Sequence, residues 1–174
     1  LIPHRVSVHR RSAGADNRTR YGHWEADTVV SKKGTWGGLK TAVERRSRLL
    51  VAEKVSSMRP SEHADVLAAL FAPMKVISTT FDNGIENRDH EQLGVPTFFC
   101  DPYSSGQKGS NENGNKMLRR YFPKGTDFAH VSAQDVAMAL TLINEKPRKI
   151  LGYRSAFEVA CAAGIITSIK SGVS

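Results

Sequence analysis

Two cysteines in 174 residues, Cys100 and Cys161, are too few for a disulfide scaffold or a cysteine-rich zinc site. They read as reduced core thiols. No apolar run approaches the ~20 residues of a membrane span. The opening Leu1-Ile2-Pro3-His4-Arg5 has no apolar signal-peptide core. A cytoplasmic location is therefore expected. Internal repeats and low-complexity segments are absent too. Acid is in deficit: 17 Asp and Glu stand against 25 Lys and Arg, a net charge of +8 with a pI near 9.7. That balance points to a polyanionic partner, nucleic acid first. No polybasic amphipathic helix turns the charge toward a membrane. What is present suits one globular domain with a full-sized core: 40% hydrophobic and 24% charged residues. The chain begins on Leu1 rather than Met, so a fragment of a longer protein is expected.

Residues 1–20 carry Arg5, His9, Arg10, Arg11, Arg18 and Arg20 and read as a basic, partly extended arm or linker. A catalytic-sized core follows over 21–165, and 166–174 reads as a frayed tail. Within the core, Trp24 to Ser31 is the first strand, Leu39–Glu44 and Leu49–Val55 two more, with Arg45, Arg46 and Arg48 at a solvated turn. Pro60 opens a helix that Pro73 ends, with His63 on its buried side. Val76–Phe81 is a strand running into Asp82-Asn83-Gly84. Asn87–Leu93 reads as a short helix and Val95–Cys100 as the last strand, limited by Pro96. The loop Asp101–Gly109 leads into a helix with Met117, Leu118 and Tyr121 on its apolar side. Ser132 and Asp135 mark a capping box at the start of the next helix, and Ala156–Ala163 is the last. The order predicts a mixed five-stranded α/β sheet flanked by helices.

Three carboxylates occupy telling places. Asp27 lies mid-strand, where Asp is disfavoured, with Glu25 on the same face. Asp82 stands at the carboxyl end of a strand that follows a helix, where open α/β sheets place ligands. Glu112 begins the helix after the last strand and shares a face with Asn115, Lys116 and Arg119. A crossover that sets the fourth strand beside the first would make Asp27 and Asp82 neighbours. Three hard oxygen donors without Cys or His fit Mg²⁺ or Mn²⁺. Two such ions are the chemistry of in-line phosphodiester displacement. Lys108, Lys116, Arg119 and Arg120 are the candidate DNA contacts. For each carboxylate there is a plainer reading: a strand accident at Asp27, a turn at Asp82, a solvated helix face at Glu112.

The motifs Tyr21-Gly22-His23-Trp24-Glu25-Ala26-Asp27, Phe81-Asp82-Asn83-Gly84, Asp101-Pro102-Tyr103-Ser104-Ser105 and Gly109-Ser110-Asn111-Glu112-Asn113 occur in order. With Val43–Arg48, Arg120–Gly125 and Pro147-Arg148-Lys149, they resemble the catalytic core of IS-thirty-type insertion-sequence transposases over about residues 2–160. Ala26, Asn87, Gly106 and Ala156 depart from the pattern, where Gly, Phe, Trp and Pro are usual. The resemblance implies a ribonuclease-H-like integrase core of the DDE type, with Asp27, Asp82 and Glu112 as catalytic metal ligands for two Mg²⁺ or Mn²⁺ ions. It implies metal-dependent DNA cleavage and strand transfer, with DNA and a second copy of the chain as partners and no membrane. It also implies an upstream helix-turn-helix region outside this sequence. The rival readings are a related integrase or nuclease core, and an inactive remnant that binds DNA or dimerises.

Overall fold

The computed structural model describes residues 1–167. Its five strands are β1 (His23–Val30), β2 (Gly38–Glu44), β3 (Leu50–Val55), β4 (Ser78–Phe81) and β5 (Thr97–Phe99). They form one sheet in the order β3-β2-β1-β4-β5. The first three are an antiparallel meander, and β4 and β5 add in parallel beside β1. Parallel addition needs a crossover, and α2 (Pro60–Phe71) supplies it between β3 and β4. The expected adjacency of the first and fourth strands is thus present. Pro96 stays outside β5, and Asn87–Leu93 forms two short 3-10 turns, Ile85–Asn87 and His90–Leu93, rather than a helix.

Helices cover both faces. On one lie α3 (Gly109–Tyr121) and α4 (Ala133–Glu145), whose Leu118, Phe122, Val136, Ala139 and Ile143 pack on Val29, Leu39, Val43 and Leu50. On the other, Leu67 and Phe71 of α2 meet Trp24, Phe81, Phe99 and Ala160 of α5 (Ala156–Ala162). Burial of a side chain such as Leu118, with no exposed surface, contributes roughly 1.5–3 kcal/mol. Covering on both faces explains why β2 is buried at every position, Lys40 included. It also blurs the alternation expected of β1, where His23 through Ala26 are all buried.

The capping box at Ser132 and Asp135 forms as expected. Tyr121 does not join the core; it is 45% exposed, and Gly114 takes a buried place on α3 instead. By spacing Tyr121 continues the stripe of Asn111, Gly114 and Leu118, but it is the last residue of α3, and Phe122 just beyond it joins Leu118 in the core instead.

Residues 1–20 lie against the domain instead of extending from it. The edge strand β5 has free backbone groups, and the Phe99 N–H donates to the Val6 carbonyl at 2.8 Å. Val8, and Ala15 of the single turn α1 (Ala13–Asp16), are buried. At the other end, Ile166 pairs with Met74, and the Thr167 N–H donates to Pro73 O. The rest of the expected tail lies outside the described residues. Both cysteines are free thiols; Cys100 is buried, with its pKa pushed up by burial, whereas Cys161 is exposed and not a core thiol.

Candidate active site

Asp27 points from β1 to the α3 side of the sheet, and Asp82 ends the neighbouring β4. Each carboxylate is fixed by its own donors. Asp27 Oδ1 accepts the Thr28 N–H at 2.9 Å, and Oδ2 accepts Asn115 Nδ2 at 2.9 Å. Asp82 Oδ1 accepts the Gly84 N–H at 3.1 Å and Asn87 Nδ2 at 2.9 Å. The second is a side chain on the 3-10 turn that replaces the expected helix.

Between them stands Lys108. Its Nζ is 3.4 Å from Asp27 Oδ1 and 3.6 Å from Asp82 Oδ2, and it donates to the Ala26 carbonyl at 3.2 Å. Lys108, expected at a DNA surface, is buried with its ammonium on the acids. Two carboxylates therefore share one cation position, and a lysine fills it. The donors there are all hard oxygens, which is the chemistry Mg²⁺ and Mn²⁺ take.

Glu112 lies on α3, on the wall of the same groove of about 1180 Å³ that Asp27 and Asp82 line. Its side chain is half exposed and pairs with Lys116 at 3.1 Å, one helical turn on. Among the described residues, no three His, Cys, Asp or Glu side chains form a ready metal cluster. The structure thus brings together two of the three expected carboxylates and leaves the third on the same wall, turned to a lysine.

Glu25 decides where α3 begins. Its side chain has no exposed surface, and its Oε2 accepts the Asn111 N–H at 2.8 Å. A carboxylate at a helix N-terminus meets unpaired N–H groups and the positive end of the dipole. Its other oxygen pairs with the buried Arg45, whose Nε donates to the Ala15 carbonyl at 2.9 Å. Burial lowers the Arg45 pKa, and Glu25 opposes that most. So Arg45, read as part of a solvated turn, is internal; Arg46 alone of the pair faces out, over the Tyr21 ring. Arg18 joins the cluster by donating to Ser110 and to the Arg45 carbonyl.

Lys116, Arg119, Arg120 and Lys124 line the groove beside Glu112, and Arg5 lines it from the docked N-terminal segment. Arg119 is already engaged: its guanidinium donates to the carbonyls of Val30 at 3.1 Å, Pro123 at 3.3 Å and Phe122 at 3.4 Å. Lys116 and Arg120 are the exposed members of the expected set.

No family model matches the chain. It is 34% identical over 166 residues, 91% of its length, to the transposase for insertion sequence element IS1086 of Cupriavidus metallidurans. It is 33% identical over 162 residues, 87% of its length, to the InsI transposase for IS30A of Escherichia coli. Its homologues are the IS-thirty-family insertion-sequence transposases. This transposase homologue spans 48% and 41% of those two relatives' lengths. The catalytic core domain of BIV integrase superposes with a TM-score of 0.62, covering 82% of this chain and 95% of that one at 19% identity. The fold is the ribonuclease-H-like one of integrase cores.

Two departures from the family pattern take on meaning in the transposase homologue. At Gly106 a Cβ would meet nothing within 4 Å, so the position where the resemblance leads one to expect Trp faces open space. Asn87, where the resemblance leads one to expect Phe, is buried and polar, and it bonds Asp82 on one side and Lys40 on the other. Sequence reading missed Lys40, Lys124 and the Glu25–Arg45 pair as parts of the site, and placed Arg5 only in a basic arm. A lysine inside a strand that both neighbours pair was the available signal for the first.

Proposed function

We propose that the chain is a DDE transposase catalytic domain: a polynucleotidyl transferase that cleaves DNA and joins strands at the ends of an insertion element. The observation that carries the reading is the placement of Asp27 and Asp82 around one cation position, on adjacent strands, at a groove with a basic wall. Homology to transposases supports the reaction class.

Asp27 and Asp82 would hold a divalent ion where Lys108 Nζ now stands. Glu112 joins them by a rotation of its exposed side chain, leaving Lys116. When bound, Mg²⁺ or Mn²⁺, as a pair, supplies stabilisation of the charge that develops on the attacking and leaving oxygens of a phosphodiester. Asn115 holds Asp27, and Gly84 with Asn87 holds Asp82, so each acid keeps one oxygen edge aimed at the groove. Lys116, Arg120, Lys124 and Arg5 bind the DNA phosphates, fixing the backbone without reading bases. Lys108, displaced from the acids, has DNA phosphate as its nearest new partner. A second copy of the chain serves the second element end.

The test is incubation of the 174-residue protein with short duplex DNA and Mn²⁺. Nicking or strand joining is expected, lost on chelation and lost in Asp82→Asn, whose circular dichroism stays unchanged. Full activity of Asp82→Asn refutes the site. DNA binding without any metal-dependent nicking favours the inactive remnant instead.

A further inference from the structure

Beneath Asp82, on the α2 side of the sheet, lies a charge that the proposed reaction does not use. Lys40 sits in the middle of β2, with 1% of its surface exposed. Its stem passes Phe81, the Nζ standing 5.5 Å from that ring's centroid, and the ammonium donates to Asn87 Oδ1 at 2.8 Å. Asn87 is itself buried, and its Nδ2 donates to Asp82 Oδ1 at 2.9 Å. The cavity beside them is about 10 Å³, lined also by His63, Glu86 and His90. That is room for about one water, so no solvent pool can take over either bond.

The polarity of this chain of bonds is dictated by chemistry. A lysine ammonium only donates, and an ionised carboxylate only accepts. A group between them must accept on one side and donate on the other, and the Asn87 amide does so, oxygen toward Lys40 and nitrogen toward Asp82. Rotating its amide by half a turn would put donor against donor and acceptor against acceptor. Lys40 therefore fixes which end of Asn87 meets the acid. Asp82 Oδ1 is in turn occupied by Asn87 and Gly84, and Oδ2 is left for the cation position.

We propose that the Lys40–Asn87 pair is a positioning relay that holds Asp82 in its metal-binding orientation from the opposite side of the sheet. Lys40 and Asn87 touch neither substrate nor ion; they act through Asp82. The inference rests on the metal-binding reading of Asp82 given above. Its energetic sense follows from the same contacts. Burying a lysine is costly unless its charge is paired and bonded, and here the first groups to offset that cost are Glu86, Asp27 and Asp82. Removing a partner that orients a ligand typically weakens metal affinity about 10–100-fold.

The experiment is calorimetric titration of Mn²⁺ into the 174-residue wild-type protein and into Lys40→Met, Asn87→Leu, their double variant, Asp82→Asn and Ile143→Ala. The side-chain amide signals of Asn87 are followed by NMR without metal. Lys40→Met and Asn87→Leu should each weaken Mn²⁺ about tenfold or more. The double variant should lose no more than the larger single loss, since both cut one chain of bonds. In Lys40→Met, the Asn87 amide protons should exchange faster with solvent. Ile143 is on the core face of α4, and Ile143→Ala should lose stability yet keep wild-type affinity. If one of the two relay variants fails to fold, the other decides. Folded relay variants that bind Mn²⁺ like wild type, while Asp82→Asn does not, overturn the relay and leave the metal reading standing. So does an equal loss in Ile143→Ala, which would trace the effect to stability. Wild type that binds no Mn²⁺, or Asp82→Asn that binds as well as wild type, overturns the metal reading and the relay with it.

Discussion

Lys40→Met has a pH signature that can be worked out from its surroundings. Burial pulls the Lys40 ammonium from 10.5 down to about 8, against the opposing pull of Glu86, Asp27 and Asp82, with Lys108 adding a small push in the same direction as burial. In the unfolded chain the group keeps its ordinary value. Below pH 8 it is charged in both states, and the folded state carries the whole desolvation cost. Between pH 8 and 10.5 the folded protein has lost that proton while the unfolded chain still binds it, so wild-type stability rises with pH. The difference, 10.5 − 8, is about 2.5 units, or about 3 kcal/mol at 1.36 kcal/mol per unit. Met keeps the length of the stem without the charge, so the variant lacks this rise. Urea unfolding of both proteins at pH 7, 8, 9 and 10 gives the difference in unfolding free energy; other titrating groups are common to both and largely cancel. The advantage of Met over Lys, offset by a constant cost at the deserted Asn87 oxygen, should shrink by about 2–3 kcal/mol from pH 7 to pH 10. A difference that stays flat across that range would mean Lys40 is not held charged in a buried site.

Glu25→Ala leaves the buried Arg45 without its carboxylate and the first turn of α3 without its acceptor. Unfolding free energy should fall by about 3–5 kcal/mol in urea melts, and a loss under 1 kcal/mol would contradict an internal ion pair. Gly114→Val should destabilise by about 1–3 kcal/mol despite removing a helix glycine. Even a Cβ there would lie 2.9 Å from Val43 Cγ2 and 3.3 Å from Leu50 Cδ1; a raised melting temperature would show slack between α3 and the sheet. Lys108→Met removes the cation that an incoming ion must displace from Asp27 and Asp82. Mn²⁺ affinity should rise about fivefold, the worth of about 1 kcal/mol for a partly exposed ion pair. A fall in affinity would make Lys108 a helper of the ion rather than its competitor.

Much of the framework was legible because its signals are local. The apolar runs around β1 through β5, the Pro that opens α2, the Pro that limits β5 and the capping box of α4 are each set by a few adjacent residues. The order of those elements, with a helix between the third and fourth strands, led to the parallel β1–β4 pair and so to Asp27 beside Asp82. What escaped were residues whose partners are far away in sequence. Arg45 looked like turn chemistry because Glu25 is 20 positions away. The N-terminal segment looked like a partly extended arm or linker because β5, the edge it pairs with, comes some ninety residues later. Tyr121 looked apolar enough for the core, but it falls at the helix end, where Phe122 takes the core place, and the buried stripe is completed by Gly114, which carries no hydrophobic signal at all.

The sequence by itself determined the candidates: three acids on three elements, an excess of positive charge, and no cysteine or histidine set to compete for hard ions. Local propensity and period suffice for that, since each depends on neighbours along the chain. Only the tertiary structure decided how the acids are partnered. It placed Lys108 between Asp27 and Asp82, turned Glu112 to Lys116, and capped α3 with Glu25 from another strand. It also put Lys40 and Asn87 beneath Asp82. A buried charge must find its partner in three dimensions, because no residue next to it in the strand can turn to the same face and reach it.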